Sequence, residues 1–108
     1  MVNNSNAHLD VLFHALADAT RRGMLSRLAD GEMSVKELAE PFDMSAPAIS
    51  KHLKVLEKAG LLRREVEGRV HRCYLVPEAM DDAASWIAYY QQFWNNKLDS
   101  LDQYLKNK

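Results

Sequence analysis

The sequence predicts a mainly α-helical domain that carries one small β-hairpin. Three observations predict this class. Apolar residues recur every three or four positions through most of the chain, which is the spacing of a helix with one buried face. Ser34 and Ser45 each stand at the start of a short helix, and a tight turn separates the two. β-branched and aromatic residues flank Glu67-Gly68, a dipeptide suited to a hairpin turn.

We therefore expect one domain over residues 1–108, with four helices, a two-stranded hairpin and a long last helix in that order. The third and fourth helices form a helix-turn-helix over residues 34–59. The hairpin follows as a wing over residues 61–76, and the last helix covers residues 77–107. The polar start, Met1–Asn6, is expected to be frayed. This order of elements is that of a winged helix-turn-helix.

Charge is unevenly distributed along the chain, although the net charge is only −1. Residues 45–76 hold seven Lys or Arg against three Glu, whereas the other 76 residues hold seven bases against twelve acids. A cationic segment of this kind is typical of a nucleic-acid surface. The single cysteine excludes an internal disulfide. Neither an export signal nor an apolar run of membrane-spanning length is present, so we expect a cytoplasmic protein with no membrane partner.

Two helices precede the helix-turn-helix. Their inward-facing residues are Leu9, Leu12, Phe13 and Leu16 in the first helix, over residues 8–17, and Met24, Leu25 and Leu28 in the second. Asp18 caps the second helix and Gly31 ends it. Arg21 and Arg22 lie in its first turn, where cations oppose the helix dipole, so we expect a phosphate or an acidic side chain beside them, or a buried salt bridge. Gly23 has no explanation in the sequence.

The helix-turn-helix has a capped start on each of its helices. Ser34 and Glu37 are spaced as a capping box, in which each side chain accepts a hydrogen bond from the other residue's backbone N–H. Ser45 opens the second helix, and Gly60 ends it in a left-handed conformation.

The second of these helices has two different faces. Its buried face consists of Ile49, Leu53 and Leu56, and its opposite face of Ser50, Lys51, Lys54 and Lys58. Small residues and Pro47 in its first turn allow the backbone to approach base edges closely. We expect the outer face to enter a DNA groove. The alternative is an ordinary solvated surface helix.

The wing is expected to carry Arg69 at its tip. A basic hairpin directly after a helix-turn-helix favours DNA binding, because its cations can reach the phosphates or the minor groove. His71 and Cys73 are two residues apart on a strand and therefore share a face. The sequence leaves the pairing register open.

A near-heptad apolar stripe runs along the last helix. It comprises Met80, Ala83, Ile87, Tyr90, Trp94, Leu98, Leu101 and Leu105, broadened by Trp86, Tyr89 and Phe93. A helix of about 30 residues spans about 45 Å, more than a domain of this size covers. We expect the excess to pair with a second copy of the chain. The predicted interface residues are Leu9, Phe13, Ile87, Tyr90, Trp94, Leu98 and Leu101. Folding back onto its own core and an aromatic ligand groove are the alternatives.

The chain also resembles a known family. The segments ALAD-x-TRR, SVKELA, SxPAISKHLKVLEKAGL and the EGR of the wing together resemble the ArsR/SmtB family of bacterial winged-helix repressors. The ending AxxWIxYYxxFW is similar to the branch of the sporulation-delay autorepressor. The resemblance implies a homodimer that binds an inverted-repeat operator in double-stranded DNA and represses until an inducer releases it. It implies recognition roles for Ser45, Pro47, Ser50, Lys51, His52 and Lys54, and supporting wing roles for Arg64, Arg69 and His71.

The sequence departs from the metal-sensing and redox-sensing members of that family. The helix Val35–Glu40 has no Cys-x-Cys motif, and the last helix has aspartates but no histidine. We therefore expect no metal, no cofactor and a packing role for Cys73. The inducer is unknown. Release from DNA would come from a small molecule near Trp86, Tyr90 and Trp94, from a partner protein, or from repressor concentration alone.

The leading hypothesis is thus a sequence-specific transcriptional repressor. The rival is a winged-helix module that binds an acidic protein, although the short side chains opening the 45–59 helix favour base contacts over a protein interface. Catalysis is not expected, because the nucleophile–base pairs Ser50/His52 and His71/Cys73 have no carboxylate orienter or oxyanion loop.

Overall fold

The computed structural model describes residues 4–107, with side chains from Ala7 onward. Its elements in chain order are α1 (Asn4–Leu16), α2 (Ala19–Ala29), β1 (Met33–Ser34), α3 (Val35–Ala39), α4 (Ala46–Lys58), β2 (Leu62–Glu67), β3 (Val70–Leu75), a 3-10 helix (Pro77–Met80) and α5 (Asp81–Lys106). Within the described residues, no helix is both long enough and apolar enough to cross a membrane.

The predicted class, a mainly helical domain with a wing hairpin, is confirmed, but the prediction lacks one strand. The sheet has three antiparallel strands in the order β1-β3-β2, with β3 in the middle. The short strand β1 pairs Met33 with Cys73 and Ser34 with Arg72. A strand of two residues is too short to show the alternation of apolar and polar residues that identifies a strand, and its partner strand is distant in sequence. Tertiary contacts therefore create this strand, and local propensity does not.

The structure fixes the register of the wing. Strands β2 and β3 pair from Leu62 opposite Leu75 to Glu67 opposite Val70. The two turn residues are therefore Gly68 and Arg69, and the expected Glu67-Gly68 turn is wrong by one position. Gly68 has a φ of 64°. A glycine with positive φ in the first position of a two-residue turn matches the right-handed twist of the flanking strands.

Three element boundaries also differ from the expected ones. Helix α1 begins at Asn4 and ends at Leu16, so the last part of the segment expected to fray is helical. Residues 1–3 of that segment lie outside the described residues. The long helix begins at Asp81, because the first four residues of the predicted element form the 3-10 helix.

The predicted helix caps are confirmed. Asp18 accepts a hydrogen bond from the backbone N–H of Arg21 at 3.1 Å, and this bond lowers the pKa of its carboxyl. Ser34 and Glu37 form the reciprocal capping box, with both distances at 3.1 Å. The Ser45 hydroxyl accepts from the N–H of Ala48, at 3.3 Å.

One hydrophobic core lies between the helices and the sheet. Its side chains include the predicted Leu12, Met24, Leu25, Leu28, Ile49, Leu53 and Leu56, together with Leu38, Leu61, Leu62 and Cys73. Burial raises the pKa of the Cys73 thiol. Cys73 is thus a neutral packing residue at the centre of the sheet.

The structure gives Gly23 a packing role. A Cβ atom at this position would lie 3.1 Å from the Phe42 ring. Phe42 follows α3 and packs against the core. The glycine therefore lets the segment between α3 and α4 lie close to α2, at the cost of about 1 kcal/mol in helix propensity relative to alanine.

Candidate nucleic-acid interface

Helix α4 separates an apolar side from a cationic side, as predicted. Ile49, Leu53 and Leu56 are buried in the core. Pro47, Lys51, Lys54 and Lys58 are exposed along the opposite side. A row of cations on one side of a rigid helix, with no packing role of its own, can contact a phosphate backbone or base edges.

The first turn of α4 presents short side chains to solvent. Ser45 caps the helix, and Pro47 lies within its first two positions, where no N–H bond is lost. Both residues are exposed. Ser50 follows on the side that faces the wing and is partly buried. The N-terminus of α4 is therefore open enough for close approach to a groove.

The wing extends the same cationic surface. Arg69 lies at the turn and is exposed, and His71 is exposed on β3. Arg63 differs from them, because its guanidinium lies 4.5 Å from the Tyr74 ring centroid and pairs with Glu65. Among the wing cations predicted to contact DNA, Arg69 is thus the one at the projecting end of the hairpin.

Arg64 has an intramolecular partner. Its guanidinium forms an ion pair with Glu57 of α4, and the side chain is only 22% exposed. This ion pair connects strand β2 to α4. Arg64 therefore holds the wing against α4.

His52 also lies away from the exposed cations of α4. Its Nδ1 is 3.2 Å from a guanidinium nitrogen of Arg21 and 3.8 Å from Asp18. The side chain is 17% exposed. The imidazole thus contacts the start of α2, and a direct contact to DNA could use only its outer edge.

Arg21 and Arg22 donate to backbone carbonyls, which the sequence did not predict. An acidic side chain, Asp18, also lies beside Arg21, as expected. The Arg21 backbone N–H and, to a lesser degree, the Arg21 charge lower the pKa of the Asp18 carboxyl. Arg21 is 8% exposed and donates to the carbonyl oxygens of His14 and Ala15, both at 2.8 Å. Arg22 donates to the carbonyl oxygen of Leu16 at 2.7 Å. The last carbonyls of a helix have no hydrogen-bond donor within the helix. Here two arginines of α2 donate to the last carbonyls of α1.

The predicted dimer residues form a largely uncovered face on α1 and α5. Phe13 packs edge-to-face on Trp86 with ring centroids 5.6 Å apart, and the Trp86 and Tyr90 rings contact each other in a tilted arrangement with centroids 4.6 Å apart. Leu9 and Phe13 are partly buried. The predicted α5 residues beyond them are about half exposed, namely Ile87, Tyr90, Trp94, Leu98 and Leu101. These side chains lie along one helix, and the described chain leaves about half of each one uncovered.

Sequence reasoning missed some residues near this interface. Lys36 lies beside the wing and α4 at one wall of a groove, where the sequence showed only the middle of a short helix. The Glu57–Arg64 pair joins a helix to a strand, and no local pattern indicates such a contact. Among the described residues, no cluster of three or more His, Cys, Asp or Glu is placed to hold a metal ion.

Sequence comparisons place the chain among known regulators. A family model described as a helix-turn-helix domain matches residues 16–65. The HTH-type transcriptional regulator Rv2034 of Mycobacterium tuberculosis is 35% identical over 99 residues, covering 92% of this chain and 90% of that protein. The transcriptional repressor SdpR of Bacillus subtilis is 31% identical over 87 residues, covering 81% of this chain and 97% of the repressor.

Solved structures give the same result. The crystal structure of the ArsR family transcriptional regulator RHA00566 superposes with a TM-score of 0.80 at 40% identity, covering 88% of this chain and 97% of that one. The homodimeric winged helix-turn-helix DNA-binding domain Mb0332 of Mycobacterium bovis, solved by NMR, gives a TM-score of 0.61 at 25% identity, with 91% and 92% of the two chains covered.

Proposed function

The chain belongs to the ArsR family of winged helix-turn-helix transcriptional regulators, and from this premise we propose that it is a repressor that binds an inverted-repeat operator as a homodimer. The observation that carries the proposal is the row of exposed cations on α4 beside the exposed Arg69 of the wing. Both features lie on the side of the helix-turn-helix that faces away from the core. We propose that the protein has no catalytic activity.

In this proposal α4 reads the major groove. Ser45, Pro47, Ser50, Lys51 and Lys54 contact base edges and the adjacent phosphates. Arg69 and His71 of the wing contact the neighbouring backbone. Arg64 and His52 serve the same interface chiefly by holding α4, through Glu57 and Arg21 respectively.

The proposed dimer forms through the aromatic and aliphatic face of α1 and α5. Ten large apolar side chains of α5 are between 46% and 67% exposed in the single chain, from Trp86 to Leu105. Contiguous apolar surface of this extent on a described monomer favours an interface with a second copy.

The proposed domain plan is one unit with the helix-turn-helix at residues 34–59, the wing at 61–76 and the dimer helix at 77–107. We propose a cytoplasmic location as well, because the protein must have access to DNA.

A salt titration of binding to a random-sequence duplex tests this proposal. Fluorescence anisotropy should give affinity that falls steeply as salt rises, because phosphate contacts release counterions. Arg69→Ala should reduce the slope of log affinity against log salt by about 1 for each protomer, or about 2 for the dimer. Arg63→Ala is the matched control, since Arg63 is engaged by Tyr74 and Glu65, and its slope should equal that of the parent. Binding that does not respond to salt would contradict the proposal.

A further inference from the structure

A second feature lies directly beside the proposed DNA surface. The wing and the helix-turn-helix enclose a groove of about 680 Å³. Buried Ile49 and Leu53 of α4 line it, as do the exposed Met44 and Val70. This volume falls within the range of about 300–1,000 Å³ that is typical of small-molecule sites. Its apolar lining is aliphatic, with a methionine whose flexible side chain can adapt to a ligand.

The polar groups of this groove are basic or neutral. Lys36, Arg64, Arg69 and His71 line it, and the described lining residues include no carboxylate. The Arg64 guanidinium also pairs with Glu57 of α4, and its other nitrogens remain available as donors. Charge and shape together fit a ligand with one acidic group and an aliphatic body.

We propose that this groove binds an aliphatic monocarboxylate. The carboxylate is held by the basic side chains of Lys36, Arg64 and Arg69, and the hydrocarbon chain lies against Met44, Ile49 and the residues beside them. A carboxylate and a guanidinium form charge-assisted hydrogen bonds, which orient the ligand with its tail toward α4.

Occupancy of the groove releases DNA. Ser50, Arg69 and His71 line the groove and are also proposed DNA contacts, so one surface cannot serve both ligands at once. This consequence rests on the proposed function, whereas the binding site itself does not. The bound acid also neutralises wing cations that would otherwise face phosphates.

A smaller groove elsewhere on the chain fits this ligand less well. It has a volume of about 340 Å³ between α1 and α5 and is lined by Leu9, Asp10, Phe13 and Trp86. The Asp10 carboxylate would repel an acid. Leu9 and Phe13 belong to the proposed dimer face, where a second copy would cover them. The expected effector region around Trp86 is therefore not the one we propose for this ligand.

Calorimetric titration of the full chain with decanoate, in the absence of DNA, tests the site. We expect saturable binding of one decanoate per chain, and binding of decanol at least about tenfold weaker because it lacks the charge. Val70→Glu places a carboxylate in the groove on an exposed strand and should weaken decanoate binding by about tenfold or more. Arg69→Gln should weaken it as well, whereas Arg63→Gln and Trp86→Phe should leave it unchanged.

Two calorimetric results would overturn the site. One is the absence of saturable decanoate binding, and the other is equal binding to the parent and Val70→Glu. Anisotropy with a labelled duplex then tests the release of DNA. Decanoate should lower the duplex affinity of the parent and have no effect on that of Val70→Glu. A chain that binds decanoate but no duplex would refute the proposed function alone, whereas a chain that binds duplex but not decanoate would refute this inference alone.

Discussion

Arg21 connects three segments through one side chain. Its guanidinium donates to two carbonyls at the end of α1 and contacts His52 of α4, while its backbone N–H binds the Asp18 carboxylate. The sequence contained part of this information. Two cations directly after the end of one helix are well placed to bind its unpaired carbonyls, whatever their effect on the dipole of the next helix. The contact to His52 depends on the tertiary fold and has no local signature.

The close approach of Gly23 to the Phe42 ring can be tested by substituting both residues. In the parent background, Gly23→Ala should gain little or no stability, because the new Cβ would lie 3.1 Å from the Phe42 ring and the ring must shift. In a Phe42→Leu background the same substitution should stabilise by about 0.5–1 kcal/mol through helix propensity. Urea denaturation of the four proteins gives the interaction energy. Equal effects of Gly23→Ala in both backgrounds would show that the ring does not impose the glycine.

At the scale of elements, the sequence predicted features whose cause is local. The caps at Asp18, Ser34 and Ser45 and the buried stripe of α4 all follow from residues within four positions of one another. The missed strand β1 and the inward placement of His52 depend on residues far apart in the chain. The one-position error at the wing turn has the same origin, since cross-strand pairing sets the register and the dipeptide does not.

Helix α4 gives the next prediction. Lys51→Ala should weaken binding to a selected operator by about 1–3 kcal/mol and relax its sequence preference, because this side chain is exposed on the face of α4 that we propose contacts DNA. Lys106→Ala is a matched control, since that lysine pairs with Asp102 near the end of α5. Equilibrium binding to the operator and to single-base variants measures both quantities. If Lys51→Ala binds every duplex as the parent does, α4 does not read bases through this residue.

Changes in helix α5 test whether it forms the proposed dimer interface. Deleting the residues after Tyr89 should produce monomers or aggregates and abolish tight operator binding, because two half-sites must be read by two linked recognition helices. Leu98→Glu tests the same face in a full-length chain, where a charge replaces a half-exposed leucine. Light scattering after size exclusion measures the mass. A truncated chain that folds and still dimerises would mean that α5 is not the interface.

At the scale of the whole molecule, the described chain is far from spherical. Its Cα radius of gyration is 18.8 Å and its principal extents are 69 × 35 × 22 Å. A compact chain of this length would have a radius of gyration of about 13 Å. The 26 residues of α5 account for the elongation, since such a helix is about 39 Å long and packs on the core chiefly at its start. The shape is that of a compact unit from which α5 projects, and α5 is the helix that we propose for dimerisation.

In the proposed function, two copies of this chain read one operator through α4 and the wing. Selection of bound sequences from a random duplex pool tests it most directly. We expect enrichment of an inverted repeat whose half-site centres lie about one helical turn apart, or a multiple of it, because a two-fold symmetric dimer binds two equivalent half-sites. Enrichment of a single unrepeated site, or of no sequence at all, would contradict it.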